Sequence, residues 1–169
     1  MKRRLFALAL ALLLAVSLPV SALARDWYID DGDITISATE NGQTVSQGNT
    51  TEADVAPVIK QRESSTSTDR VIKVIAEEDA TANVTLGGVN IDASSRGNNT
   101  AGICTTGDGN VTIELDGNNS VKSAADAAGL QKENGGNLTI KDGNTPAGRL
   151  EATGGIGGAG IGGGAYGAG

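Results

Sequence analysis

A 27-residue echo constrains this chain more than any other feature in it. Asn83-Val84-Thr85-Leu86, Asn110-Val111-Thr112-Ile113 and Asn137-Leu138-Thr139-Ile140 follow one another at two intervals of 27 residues. A second element recurs in step, as Asn90-Ile91-Asp92-Ala93, Ser120-Val121-Lys122-Ser123 and Arg149-Leu150-Glu151-Ala152. A third, Ala101-Gly102-Ile103, Ala128-Gly129-Leu130 and Ala159-Gly160-Ile161, returns after 27 and then 31 residues. Three strand-like pieces per repeat give three faces per turn of a stacked solenoid. The expected fold is all-β, a right-handed parallel β-helix of about 27–31 residues per coil, behind a less regular N-terminal capping region.

Within each echo the aliphatic residues alternate with Thr85, Thr112 and Thr139, a period of two that points one set inward and the other outward. This predicts an inward column of Leu86, Ile113 and Ile140 and an outward threonine column, a geometry also suited to ordering ice. Asn83, Asn110 and Asn137 are either an asparagine ladder or turn residues ahead of a strand. Gly107-Asp108-Gly109, Asp116-Gly117-Asn118 and Asp142-Gly143-Asn144 supply the corners, since these residue types tolerate positive φ.

Residues 25–76 read as capping strands and a loop, and 77–169 as the coils. Trp27-Tyr28-Ile29 and Ile34-Thr35-Ile36 flank Asp30-Asp31-Gly32-Asp33 as a hairpin or a first coil, and Val71–Ile75 is a strong strand. Val55–Ile59 is a weaker one because of Pro57. The polar stretch Gln61–Arg70 has no periodicity and is expected outside the stack. Gly154–Gly169 has little side chain with which to cover a last coil. The chain therefore reads as the N-terminal fragment of a longer protein, frayed and self-associating at an open C-terminal edge, or as a stack completed by another element.

Residues 1–24 read as a signal peptide. Lys2, Arg3 and Arg4 precede the apolar run Leu5–Val16, and Ala22-Leu23-Ala24 is a small-x-small cleavage site ahead of Arg25. Cleavage takes away those three positive charges, from −7 to −10. The expected location is secreted or at the cell surface, with no membrane contact after signal removal. An acidic surface disfavours nucleic acid, whose binding rests on neutralised phosphates. The sequence holds no histidine, which excludes Ser-His-Asp and Cys-His catalysis. Cys104 is the only cysteine, so no internal disulfide forms, and it is either a small buried hydrophobe or a nucleophile.

Ile113-Glu114-Leu115-Asp116-Gly117-Asn118-Asn119, Ala128-Gly129-Leu130-Gln131, Gly136-Asn137-Leu138-Thr139-Ile140 and Ala152-Thr153-Gly154-Gly155, followed by Gly158–Gly164, occur in that order. In this the chain resembles secreted Gram-positive bacterial carbohydrate-binding domain proteins of the right-handed parallel β-helix, pectate-lyase-like type. The resemblance implies a cell-surface or secreted polysaccharide-binding role on cell-wall or plant-type glycans, with calcium as the implied cofactor.

Read from the residues, Asp108, Asp116, Asn118, Asp142 and Asn144 are either calcium ligands, being oxygen donors at glycine corners, or simply turn formers. The denser Asp30–Asp33 cluster is a further cation candidate. Trp27, Tyr28 and Tyr166 are the aromatics past the signal, either sugar platforms or packing residues. The expected function is non-catalytic polysaccharide binding. A polysaccharide lyase on the same fold and a structural adhesin stalk are the alternatives.

Overall fold

The computed structural model describes residues 24–143 and 145–165. Ala24 is exposed and leads directly into the fold; Ala22 and the rest of the signal-like segment lie outside the described residues. The first coil consists of β1 (Asp26–Tyr28), a single 3-10 turn at Ile29–Asp31, and β2 (Ile34–Thr39). A hairpin of β3 (Gly42–Gln47) and β4 (Thr50–Ala53) follows, then a second coil with β5 (Val58–Lys60) and β6 (Ile72–Ala76). The third coil is β7 (Thr81–Gly87), β8 (Asn90–Asp92) and β9 (Ile103–Thr106), and the fourth β10 (Asn110–Asp116), β11 (Asn118–Lys122) and β12 (Leu130–Lys132). The fifth is β13 (Leu138–Lys141), β14 (Arg149–Thr153) and β15 (Ile161–Gly162). Among the described residues no helix is long and apolar enough to cross a membrane.

These strands stack into three sheets, ordered β1-β5-β7-β10-β13, β8-β11-β14 and β15-β12-β9-β6-β2-β3-β4. All pairings are parallel except β2–β3 and β3–β4. The chain is a parallel β-helix of about five turns, as the repeats predict. Alternation fills its core: Ile34, Ile72, Ile103 and Leu130 align along the third sheet, with the half-exposed Ile161 ending that column, and Trp27, Ile59, Leu86 and Leu115 align along the first. Each fully buried aliphatic side chain contributes about 1.5–3 kcal/mol. Leu138, Ile140, Leu150 and Ala152 of the fifth coil are only partly buried, because no described strand stacks beyond them.

One expected register is corrected. Between β10 and β13 the 27-residue step holds, with Ile113 opposite Ile140 and Thr112 opposite Thr139. Between β7 and β10, however, Val84 lies opposite Ile113, Leu86 opposite Leu115 and Asn83 opposite Thr112, steps of 29. The inward column is therefore Val84, Ile113 and Ile140, and Thr85 faces Glu114 rather than a threonine. A two-residue shift leaves every side chain on its own face, so hydrophobic alternation alone does not choose between 27 and 29. The three-membered asparagine and threonine columns fall with it. Only Asn110 and Asn137 remain neighbours, the backbone N–H of Asn137 donating to Asn110 Oδ1 at 2.9 Å. On the second sheet Val121 likewise faces Ala152 rather than Leu150.

The N-terminal part is more regular than its composition suggests, since residues 25–76 hold the first two coils. Gln61–Arg70 is mostly an exposed loop, but Thr68 joins the stack: it bridges Ile91 in parallel, and its N–H donates to the Asn90 carbonyl while its carbonyl accepts from Asp92. This single rung continues the second sheet into the second coil. At the other end, the glycine-rich segment is paired with the fourth coil as far as Ala165, whose N–H donates to the Asp126 carbonyl. Backbone pairing needs no side chain, and the glycines permit the approach: a Cβ at Gly155 or Gly158 would sit 1.9 or 1.8 Å from the carbonyl oxygen of Ala124 or Ala127.

The hairpin β3–β4 covers the outer edge of β2, and its Gln43 works as an amide splice. β5 pairs with β7 only over Thr85–Gly87, so Asn83, which faces Thr112 of β10 on one side, has no strand residue opposite it on the β5 side. Gln43 Oε1 accepts from the Asn83 N–H at 2.8 Å, and Nε2 donates to the carbonyls of Asn83 and Asp54, both at 2.9 Å.

Two expectations follow. Ile113→Asp places a carboxylate at a position with no exposure and should cost about 3–5 kcal/mol in urea unfolding, while Thr112→Asp on the outer face should cost under about 1 kcal/mol. Equal costs would defeat the inward and outward assignment. Gln43→Ala strands three backbone groups and should cost about 2–4 kcal/mol, with loss of amide protection at Asn83 in hydrogen exchange.

Candidate polysaccharide-binding groove

The second sheet is the smallest of the three, and its outer face carries polar side chains in register across coils. Asn90, Ser120 and Glu151 form one column, Asp92, Lys122 and Thr153 a second, and Asn118 with Arg149 a third. The first and third columns, with Ser64, Val89 and Asn119, line a groove of about 340 Å³ running over β8, β11 and β14. A separate, larger hollow of about 660 Å³ is lined by Gln61 and Glu63 together with Asp30, Asp69 and Arg70.

Charges on this face of the sheet are paired across or along the strands. Lys122 Nζ lies 3.2 Å from Asp92 Oδ2, and Arg149 Nη2 lies 3.4 Å from Glu151 Oε2. The Ser94 hydroxyl and N–H hold the Asp92 carboxyl below its ordinary range, with Lys122 adding to the effect. What remains for a ligand is a surface of amides, hydroxyls and partly satisfied charges, repeated once per coil at about 4.8 Å.

The groove floor is fixed by Asn119, 2% exposed. Its Oδ1 accepts from the N–H groups of Gly88 and Val89 at 2.9 and 3.1 Å. Its Nδ2 donates to the carbonyls of Asp116, Gly117 and Arg149 at 3.1–3.3 Å. One buried amide thereby ties the corner of the fourth coil to those of the third and fifth. Asn134, also buried, does the same at another corner, donating to the carbonyls of Gly109 and Gly136 and accepting from the Thr105 hydroxyl. The sequence pattern gives neither of them this role, because an Asn beside a glycine or two residues past one signals a turn whether it faces water or core.

The residues singled out by sequence are dispersed. Asn118 lines the groove, and Asp116 stands beside it across Gly117 at the exposed corner. Asp142 follows β13 at the same corner one coil on, whereas Asp108 is exposed in the turn between β9 and β10. Asn144 and Tyr166 lie outside the described residues. Among the described residues no three Cys, Asp or Glu side chains gather around one point. A calcium ion at the Asp116–Asn118 corner would draw mainly on amide and backbone oxygens. In the Asp30–Asp33 cluster, Arg62 holds Asp31 in two hydrogen bonds of 2.7 and 2.8 Å, lowering its carboxyl below the ordinary range. Arg96 holds Asp33 at 2.9 and 3.0 Å.

Trp27 is 3% exposed, its Nε1–H donating to Asp54 Oδ2 at 2.9 Å beneath the Arg25 guanidinium. Its ring is therefore part of the cap. Tyr28 is half-buried and already carries the Arg62 guanidinium 4.2 Å from its ring centre. Cys104 is half-buried, and burial with the neighbouring Glu133 carboxylate pushes its thiol up to about 11, away from the thiolate form that a nucleophile uses. Comparison with protein families, curated proteins and solved structures gives no match.

Asn119→Ala should cost about 2–4 kcal/mol, because it strands the Gly88 and Val89 N–H groups. Asn118→Ala, one residue away and exposed, should change the unfolding midpoint by no more than about 0.5 kcal/mol equivalent in thermal denaturation.

Proposed function

We propose that the chain is a secreted or cell-surface module that binds polysaccharide along the second sheet without turning it over. The observation that carries this is the groove itself: a polar trough crossing successive coils, with Asn90, Ser120 and Glu151 in one line. A polymer of hydroxyl-rich units lying along the axis meets donors and acceptors once per coil, so weak single contacts add through multivalency. The pinned floor favours binding because little ordering remains to be done.

The non-catalytic reading draws on the groove's lining, in which Glu151 is the one carboxylate and is paired with Arg149. Hydrolysis by general acid and base uses two carboxylates on either side of the bond. The signal-like N-terminus supports export. The Asp116–Asn118 corner is where calcium would assist, by bridging the acidic surface to a uronate-bearing glycan.

Affinity electrophoresis through gels containing cellulosic or pectic polymers, with and without calcium, tests the proposal. Retardation with no change in polymer length is expected. Ser120→Trp, which fills the groove, should abolish retardation while leaving the unfolding midpoint in place. Unsaturated products would make the protein a lyase, and no retardation on any polymer would leave the stalk reading.

A further inference from the structure

We propose that cleavage after Ala24 creates a ligand for the buried Asp54, namely the new α-ammonium group of Arg25, which enters the N-terminal cap as an ion pair. Asp54 follows directly on β4 and is only 2% exposed. Its Oδ2 accepts from Trp27 Nε1 at 2.9 Å and from the Arg25 backbone nitrogen at 3.2 Å, and its Oδ1 accepts from the Ala56 N–H at 3.1 Å. All three donors are neutral while Arg25 remains in peptide linkage. The Arg25 guanidinium is turned elsewhere, onto Glu52 and the Trp27 ring. The Arg25 guanidinium attracts this buried carboxylate only through space, so the carboxylate has no cationic hydrogen-bond donor, the compensation that such groups favour.

The missing charge is one bond away. Arg25 is held in place because its carbonyl accepts the Val58 N–H at 2.9 Å, which seats its nitrogen against Asp54. A signal peptidase hydrolyses the Ala24–Arg25 bond with one water: hydroxyl goes to the Ala24 carbonyl carbon and a proton to the Arg25 nitrogen. At neutral pH that amine takes up a further proton from solvent. The nitrogen then carries a full charge and three N–H donors where the amide had one. Ala22 and Ala24 place the cleavage at this same bond, an observation separate from the geometry of Asp54. The cap is thus complete only in the processed chain. Nothing here depends on what the groove binds.

The test compares a chain beginning at Arg25 with a free amine and one beginning at acetylated Ala24, each with Asp54 and with Asp54→Asn. The free amine should lower the unfolding equilibrium constant about tenfold, and Asp54→Asn should erase that difference. Equal stability of the two chains, or a difference that survives Asp54→Asn, overturns the proposal. Should Asp54→Asn fail to fold, acylation of the α-amine in the otherwise unaltered chain decides. Reaction far slower in the native state than in urea is expected, and equal rates overturn it. N-terminal sequencing of the exported protein should return Arg25, and any other start overturns the pairing.

Discussion

Strands inside this stack have their backbones satisfied largely by the coils beside them, and the two-residue pleat limits how neighbouring coils can be aligned. An odd shift would turn a whole row of isoleucines to water, whereas an even shift costs the core nothing. The molecule uses that freedom. Coils are offset by 27 residues between β10 and β13, 29 between β7 and β10 and 31 between β12 and β15, yet the inward columns stay aliphatic throughout. The length differences are absorbed at corners, where glycine and asparagine accept the change in direction.

Where two coils do not match in strand length, a side-chain amide takes the place of a peptide. Gln43 stands in for the strand that β5 is too short to provide, Asn119 bridges three corners and Asn134 bridges two. Each such group is buried and fully hydrogen-bonded, and among the described residues no buried side-chain nitrogen or oxygen lacks a partner. Charged residues do related work outside. Arg96, from the third coil, reaches Asp33 of the first and the Asp69 carbonyl of the second, so a single guanidinium spans three coils. Such exposed pairs contribute only about 0–1 kcal/mol each and align the stack more than they stabilise it.

These facts explain what the sequence discloses and what it hides. The alternation around Val84, Ile113 and Ile140 announces strands, their inward faces and the stacking direction. The coil-to-coil offset is hidden because Asn-x-Thr begins each echo whether or not the echoes align, and only the partner strand decides. Gln61–Arg70 conceals a coil because its contribution to the second sheet is one rung at Thr68, too short to show a period. Asn118 and Asn119 look interchangeable on paper, yet one faces the groove and the other lies beneath it. Asp54 sits among exposed residues in sequence, and only the fold of the hairpin over Trp27 makes it part of the core. Of the groove, Asn118 was legible as a polar corner, while Asn90, Ser120 and Glu151 form a line only through register.

The hairpin has a consequence for how such a molecule lengthens. On the third sheet β3 occupies the place that a preceding coil would take beside β2, and it runs antiparallel, so it presents the wrong strand direction for another rung. At the opposite end β13, β14 and β15 all run parallel to their neighbours and offer matching templates to whatever follows. Addition of coils is thereby one-directional, like courses laid on a foundation. A repeat duplicated in the gene would extend the trough from its Glu151 end and leave the cap, with its buried Asp54, untouched.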